Sequence, residues 1–268
     1  MLLREVEYAR PASVQEALRL LGANDGARAL AGGQTLINVM KARAASPDVL
    51  VDLADIGELR GIELGADGTL ELGAMTTYTD IIESAEARAR PILGEVCNQI
   101  ADVQVRNRGT IGGNVCSNDP TNHLPPLLVA IGAAMTIVGQ DGERSVPAEE
   151  FFLGVYMTAV GPGELLTKIS VPAGKSDGFA SVPIGRDGTC IVNVAASLNG
   201  GGARLAVGCV DAVPVLLTTD STDDSVVRKA VQTASLDPPW DVHASADYRR
   251  HLAEVLAVRA VAQAVERK

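Results

Sequence analysis

Two short glycine-containing segments carry the residues best suited to chemistry in this sequence. They are Ala31-Gly32-Gly33-Gln34-Thr35 and Thr110-Ile111-Gly112-Gly113-Asn114. Glycine lets the main chain approach a ligand closely, and successive NH groups turned toward one point form an anion-binding concavity without any lysine. A diphosphate fits such a concavity. Either glycine pair by itself is also typical of an ordinary tight turn.

The familiar nucleotide-binding motifs do not account for these segments. The sequence contains no GxGxxG pattern. Gly174-Lys175-Ser176 matches the end of the P-loop pattern GxxxxGK[ST], but Ile169 stands at the position of its first glycine. A Rossmann site and a P-loop site are therefore both disfavoured.

An alternation of short strands and helices surrounds the first glycine segment. The pattern predicts strands over 6–8, 27–31 and 49–53, with helices over 13–22 and 35–42. Ser13 and Glu16 have the spacing of a capping box at the start of the first helix. The first glycine pair therefore lies between a strand and a helix, whose N-terminal dipole favours a phosphate.

The rest of the chain is also expected to mix helices and strands. A hairpin is predicted over 62–64 and 69–72, helices over 78–84, 92–100 and 124–131, and strands over 134–138 and 165–171. Residues 109–114 read as a glycine-rich segment, and 172–178 as a linker. Strands over 179–182, 190–198 and 203–210 follow, and then two helical stretches.

The last helical stretch, 244–268, predicts a packed helix. At 100° per residue its apolar sector comprises Tyr248, Leu252, Val255, Leu256, Val258 and Ala262. Arg249 falls outside this sector, whereas Arg259 lies inside it and is expected to pack its stem.

Composition restricts the class of protein. The 268 residues are 47% hydrophobic with a formal net charge of −10, so nucleic acid is not an expected partner. No apolar stretch reaches the roughly 20 residues of a membrane span, and the N-terminus lacks a secretory signal pattern, so we expect a cytoplasmic protein. The four cysteines form no CxxC pair and predict reduced, buried thiols rather than a metal site: Cys97, Cys116, Cys190 and Cys209.

The longer context of the glycine segments resembles a known family. Residues 100–114, 31–36 and 73–77 together are similar to the FAD-binding medium subunit of the molybdenum hydroxylases, the group that includes carbon monoxide dehydrogenase and xanthine dehydrogenase. The resemblance covers essentially the whole chain. It implies an α+β fold with two PCMH-type FAD-binding subdomains, 1–57 and 58–172. A C-terminal α+β domain, 173–268, would follow with a small antiparallel sheet.

The resemblance also implies which residues hold FAD. The glycine segments would wrap the pyrophosphate and ribityl chain, with Thr35 and Thr110 offering hydroxyl groups. Residues near the flavin ring or adenine would be Ile100, Ala101, Ser117 and Leu166. The full implied set is Ala31, Gly32, Gly33, Gln34, Thr35, Leu36, Ile100, Ala101, Thr110, Ile111, Gly112, Gly113, Asn114, Ser117, His123 and Leu166.

Two departures from the family pattern accompany the resemblance. His123 stands where relatives often have a carboxylate that helps to hold the cofactor. Either Asp119 takes over that role, or His123 donates a hydrogen bond instead, or His123 is a structural residue whose hydrogen bonds are satisfied within the protein. The segment 179–190, where relatives carry more basic residues, has Arg186 alone, so flavin exposure or redox tuning is expected to differ.

The resemblance implies a division of labour among three subunits. A large subunit with a molybdenum cofactor would oxidise the substrate, and a small subunit with 2Fe-2S clusters would relay electrons to FAD in this chain. The acceptor would be a quinone, NAD or oxygen, and the complex a dimer of heterotrimers. No side chain of this chain needs to act as an acid or base. Two alternatives are a self-sufficient FAD-dependent oxidoreductase and a non-catalytic assembly subunit.

Overall fold

The N-terminal part of the chain forms a small parallel sheet flanked by helices. The computed structural model describes residues 3–185 and 189–268. The elements are β1 (Glu7–Ala9), α1 (Val14–Gly22), β2 (Ala27–Leu30), α2 (Leu36–Lys41) and β3 (Val49–Asp52). The strands lie in the order β1-β3-β2 and both pairings are parallel. Every element predicted here is present to within two residues of its expected ends.

The N-terminus of α1 is capped by Ser13, but only one of the two predicted capping hydrogen bonds is present. Ser13 accepts a hydrogen bond from the Glu16 main-chain NH, but the Glu16 carboxylate bonds to the NH of Ala12 instead of Ser13. The predicted capping box is therefore only half formed. The apolar stripe of α1 is buried, as its helical spacing indicates, at Val14, Ala17, Leu18 and Leu21.

A five-stranded antiparallel sheet lies at the centre of the middle part. Its order is β4-β5-β10-β6-β7, and the predicted hairpin pairs Ile62 with Leu72. Single turns of 3-10 helix cover Gly57–Leu59 and Ala87–Ala89. The elements are β4 (Ile62–Leu64), β5 (Leu70–Gly73), α3 (Tyr78–Glu83), α4 (Ile92–Cys97), α5 (Val103–Arg106), α6 (Ile111–Ser117), α7 (Leu124–Ala130), β6 (Ala134–Gly139), β7 (Gly142–Pro147), α8 (Ala148–Phe151), β8 (Phe152–Gly154), β9 (Met157–Thr158) and β10 (Leu165–Val171).

The C-terminal part is a four-stranded antiparallel sheet covered by two helices. The elements are β11 (Asp177–Ile184), β12 (Thr189–Asn199), β13 (Gly202–Gly208), β14 (Val215–Thr219), α9 (Asp224–Thr233) and α10 (Ala246–Glu266). The strands follow chain order, and α10 packs across β11 and β12. The α+β architecture with small antiparallel sheets is thereby confirmed.

The predicted apolar sector of α10 is only partly correct, because Leu252 and Leu256 are buried, Val255 and Val258 are partly buried, and Ala262 is exposed. Tyr248 is half exposed, and Arg259 is exposed rather than packed. Alanines make up half of the buried face and let the helix lie close to the sheet; the buried residues are Arg249, Leu252, Ala253, Leu256, Ala257, Ala260, Val261 and Ala264. Arg249 enters this face because Asp241 meets its guanidinium at 2.6 Å and the carbonyl of Cys209 accepts a further bond.

The predicted linker 172–178 also needs correction, since β11 begins at Asp177 inside it. The predicted domain boundaries after residues 57 and 172 fall between the sheets and stay predictions. Among the residues that the structure describes, no helix is long and apolar enough to cross a membrane. All four cysteines are free thiols, and Cys97, Cys190 and Cys209 are buried.

Candidate functional site

The first glycine segment forms an unpaired main-chain corner between β2 and α2. Gly33 has a φ of +73°, a left-handed conformation that glycine adopts without strain. Among the hydrogen bonds of residues 3–185 and 189–268, none is donated by the main-chain NH groups of residues 32–36. We call these NH groups the NH cluster. A run of free NH groups around a left-handed residue is the geometry that binds anions.

Side chains around the NH cluster engage carbonyl oxygens. The amide of Gln34 donates to the carbonyl of Gly32 at 3.1 Å, and the amide of Asn38 donates to the carbonyl of Gln34 at 2.7 Å. Thr35 is exposed and its hydroxyl makes no capping bond to α2. In this segment the carbonyl oxygens of Gly32 and Gln34 are therefore already hydrogen-bonded, whereas the main-chain NH groups are free. This arrangement favours the binding of a negatively charged group.

The second glycine segment differs from expectation because it is the start of helix α6. Thr110 caps this helix by accepting a hydrogen bond from the NH of Gly113 at 3.0 Å. The NH of Ile111 donates to Thr76, and that of Gly112 donates to Ala74. These main-chain donors are used within the protein, so this segment does not supply a second cluster of free NH groups.

The two segments nevertheless meet. A Cβ atom built on Gly32 would lie 2.0 Å from the carbonyl oxygen of Arg108, and one built on Gly113 would lie 3.3 Å from the Cβ of Ala31. Gly112 allows equally close packing, since its added Cβ would lie 2.6 Å from the carbonyl oxygen of Ala74. The first glycine of each pair therefore allows close approach of main chain, whereas Gly33 lies within the NH cluster and Gly113 lies against Ala31, the residue before it.

Asn114 adds a buried acceptor beside this contact. Its side chain is about 9% exposed, and within the described part of the chain its Oδ1 atom has no hydrogen-bond partner. Burial raises the pKa of the neighbouring Tyr78, while a hydrogen bond with Asn114 acts in the opposite direction. A buried polar atom without a partner is unfavourable unless a ligand satisfies it. Together with the NH cluster, this atom fits a ligand that has both anionic and hydroxyl groups, as FAD has.

The residues predicted to lie near the flavin ring occupy a strained turn. Ile100 is buried, and Ala101 has a φ of +45°, which is unusual for a residue with a Cβ atom. The guanidinium Nη1 of Arg106 donates to the carbonyls of both residues, at 2.9 and 2.8 Å. The sequence pattern did not predict a role for Arg106, because only the folded turn brings the carbonyls of Ile100 and Ala101 next to its guanidinium.

Ser117 and Leu166 are engaged within the protein. The Ser117 hydroxyl donates to the carbonyl of Asn114 at 2.7 Å and accepts from the amide of Asn122 at 3.2 Å. Leu166 is buried in the core of the middle part, on a strand that contacts α6. Their contact with the cofactor stays a prediction.

His123 faces the C-terminal sheet. Its ring stacks on Phe179 with centroids 5.7 Å apart, and its Nε2 lies 3.2 Å from the Sγ of Cys190. Burial lowers the pKa of His123 to about 4, so the ring is neutral at pH 7. The structure thus shows no contact between this side chain and the NH cluster, and its role toward FAD stays a prediction.

Asp119, the alternative to His123, is also occupied. Its Oδ1 accepts from the NH and hydroxyl of Thr121, and its Oδ2 accepts from the hydroxyl of Tyr156 at 3.2 Å. Arg186, the one basic residue of segment 179–190, lies outside the described residues.

Comparison with known proteins defines the class. Residues 4–174 match the family described as the FAD binding domain in molybdopterin dehydrogenase, and the chain belongs to this family. This match confirms the family resemblance and the assignment of FAD as the cofactor.

Individual relatives cover the full length of the chain. The carbon monoxide dehydrogenase medium chain of Afipia carboxidovorans is 38% identical, over 100% of this chain and 99% of its own. The glyceraldehyde dehydrogenase medium chain of Sulfolobus acidocaldarius is 35% identical, over 96% and 97%. The solved structure of reconstituted CO dehydrogenase from Oligotropha carboxidovorans superposes with a TM-score of 0.93 at 36% identity, covering 100% of both chains.

Proposed function

We propose that this chain is the FAD-carrying electron-transfer subunit of a molybdenum hydroxylase complex. Electrons would reach FAD from iron-sulfur clusters of a partner subunit and leave to an external acceptor. Full-length similarity to medium chains of carbon monoxide dehydrogenase and glyceraldehyde dehydrogenase supports this subunit role. Because those relatives are named for different substrates, the similarity does not single out a substrate for this complex.

The observation that carries the proposal is the NH cluster of residues 32–36, in contact with the start of α6. The free donors are main-chain NH groups fixed by the left-handed Gly33, so they can hold a diphosphate without a lysine or arginine. The contact of Gly32 with the main chain at Arg108 fixes the position of the NH cluster relative to α6. Held this way, the donors need little rearrangement on binding.

The remaining proposed contacts orient the rest of the cofactor. The unpaired Oδ1 of Asn114 accepts a hydrogen bond from a hydroxyl of the ribityl chain, and the exposed Thr35 hydroxyl is available to the diphosphate. The Ile100-Ala101 turn and Leu166 provide apolar surface for the ring. When bound, FAD supplies the ability to take up and release electrons, while the protein fixes its position and surroundings.

The partners in this proposal are a large subunit with the molybdenum cofactor and a small subunit with 2Fe-2S clusters. Among the described residues there is no group of three or more His, Cys, Asp or Glu side chains that could hold a metal ion. A dimer of heterotrimers and a cytoplasmic location stay predictions.

Replacement of Gly33 or Gly113 tests the proposed site. Valine at position 33 cannot adopt a φ of +73° without strain, and at position 113 its side chain meets the Thr110 hydroxyl and Ala31. We expect both variants to lose FAD during purification, seen as loss of the flavin absorption spectrum, while far-UV circular dichroism changes little. Gly57→Ala is the control, because nothing lies within 4 Å of the added atom. Full flavin occupancy in both valine variants would overturn the site.

A further inference from the structure

The C-terminal end of α6 is held by side chains rather than by a further turn of helix. Asn118 has a φ of +38°, a left-handed conformation that ends the helix, and its NH donates to the carbonyl of Val115. The carbonyl of Asn114 accepts from the hydroxyl of Ser117 at 2.7 Å and from the side-chain amide of Asn122 at 3.2 Å. Carbonyls in the last turn of a helix depend on such outside donors. Asn122 therefore holds the turn of α6 that carries Asn114.

The loop containing Asn122 is held in turn by strand β12 of the C-terminal sheet. The side-chain amide of Asn193, on β12, donates to the main-chain carbonyl of Asn122 at 3.2 Å. The NH of Cys190, on the same strand, donates to the carbonyl of Thr121 at 3.3 Å. Two consecutive residues of the loop after α6 are thus bonded to β12.

Asn193 is a costly residue for packing alone. Its side chain is fully buried, and its Oδ1 atom has no hydrogen-bond partner within the part of the chain that the structure describes. A buried polar atom without a partner is unfavourable, and an apolar side chain would avoid this cost. Only a side chain with a donor, however, can bond to the Asn122 carbonyl. The hydrogen bond to Asn122 therefore accounts for an amide at this position.

These bonds connect the C-terminal sheet to the residue that the proposed function assigns to FAD. They run from Asn193 through Asn122 to the main chain of Asn114, whose side-chain Oδ1 has no partner among the described residues. None of the three residues is charged, so the connection fixes a position and contributes no net charge. Asn193 also lies beyond residues 4–174, the part of the chain that matches the FAD-binding family.

We infer that Asn122 and Asn193 are positioning residues of the cofactor site, through which the C-terminal sheet fixes Asn114 for FAD. The inference rests on the proposed function. Neither residue has to touch the cofactor. Because Asn114 is already held in place, little ordering is needed when FAD binds, and the cost of association is lower.

A double-mutant cycle on the full-length chain tests this inference. The dissociation constant of FAD is measured by flavin fluorescence for the wild type, Asn122→Ala, Asn114→Ala and the combined variant. Asn122 is only partly buried, so its truncation leaves the core intact. Ser197→Ala is the matched control, because it removes a different bond between β12 and the middle part, the one that Arg90 donates at 3.2 Å. Thermal midpoints of the FAD-free chains are measured alongside.

We expect Asn122→Ala to raise the dissociation constant of FAD about tenfold, the effect of losing a net hydrogen bond. In the Asn114→Ala background the same substitution should change the constant by less than about twofold, because the residue that it positions is already truncated. Asn193→Ala should weaken FAD binding in the same coupled way. Ser197→Ala should bind FAD as the wild type does.

The cycle separates positioning from a general effect on the fold. Equal effects of Asn122→Ala in the two backgrounds would overturn the inference, because the effect would not pass through Asn114. Unchanged FAD affinity in both Asn122→Ala and Asn193→Ala would also overturn it and would leave the proposed function standing. A wild-type chain that does not bind FAD would instead contradict the proposed function itself.

Discussion

Arg90 and Asp177 form a buried ion pair that joins the middle part of the chain to the C-terminal sheet. Two guanidinium nitrogens of Arg90 lie 2.8 Å from the two carboxylate oxygens of Asp177, and both side chains are less than 5% exposed. Arg90 also donates to the hydroxyl of Ser197 at 3.2 Å. The pair fixes the start of β11 against the end of the Ala87–Ala89 turn, within the segment that the sequence pattern predicts as a linker.

Removing one partner of this pair should destabilise the protein strongly. Arg90→Ala leaves the Asp177 carboxylate buried without its partner, and we expect the free energy of unfolding to fall by about 3–5 kcal/mol. The exposed pair of Arg10 and Asp55 is the control, and Asp55→Ala should change stability by less than about 1 kcal/mol. Urea unfolding monitored by circular dichroism measures both. Equal effects of the two variants would contradict a special role for the buried pair.

Gly32 should be intolerant of even one methyl group. The Cβ of Gly32→Ala would lie 2.0 Å from the Arg108 carbonyl oxygen, and the main chain must move to relieve this contact. We expect a loss of about 1–3 kcal/mol in stability together with weaker FAD retention. Gly57→Ala, in open space, should stay within about 0.5 kcal/mol of the wild type. If Gly32→Ala binds FAD normally, the contact between the two segments is not needed for the site.

Local patterns predicted those elements whose geometry is set by nearby residues. The hairpin of β4 and β5 follows from alternating apolar residues around a glycine-containing turn, and the two strands pair antiparallel as predicted. Helix α6 was missed because Gly112 and Gly113 have low helix propensity. It forms with help from the carbonyls of Ala74 and Thr76, residues far away in the sequence.

The sequence predicted that the two glycine segments converge, which the structure shows, but not how the two segments differ. The glycine pairs could be located, whereas the pattern could not show that Gly32 and Gly112 contact other main chain while Gly33 lies among free donors.

The packing of α10 was predicted only in part, because the pattern could not show which small residues face the sheet. Alanines such as Ala257 and Ala260 contribute little to an apolar count, although their small size lets the helix approach the sheet.

Protonation of His123 should make stability depend on pH. Burial lowers its folded-state pKa to about 4, below the value of about 6.5 in unfolded chains, so the unfolded state binds the proton more tightly. The neutral His123 ring therefore contributes about 3 kcal/mol to the free energy of unfolding. This contribution is fully present above pH 6.5 and is lost as the pH falls toward 4. His123→Gln should flatten the curve of unfolding free energy over this range. A flat wild-type curve would argue against a buried neutral ring.

The Ala101 turn offers a direct test of the predicted flavin contact. Ala101→Gly removes the strain of a φ of +45° and should stabilise the protein by about 0.5–1 kcal/mol after the greater flexibility of glycine is counted. Arg106→Ala removes the donor that holds the carbonyls of Ile100 and Ala101, and should destabilise it by about 1–3 kcal/mol. Urea unfolding measures these changes, and flavin fluorescence measures FAD release.

The two measurements separate a structural turn from a cofactor contact. If the turn carries the ring, Arg106→Ala should release FAD faster and shift the flavin midpoint potential, because the main chain beside the ring moves. Arg60→Ala, which removes a single bond to the carbonyl of Ala54 on the surface, is the control and should leave the potential unchanged. A fall in stability after Arg106→Ala with unaltered FAD release and potential would show that the turn at Ile100 and Ala101 has only a structural role, because loss of the two Arg106 hydrogen bonds explains such a fall without any contact to FAD.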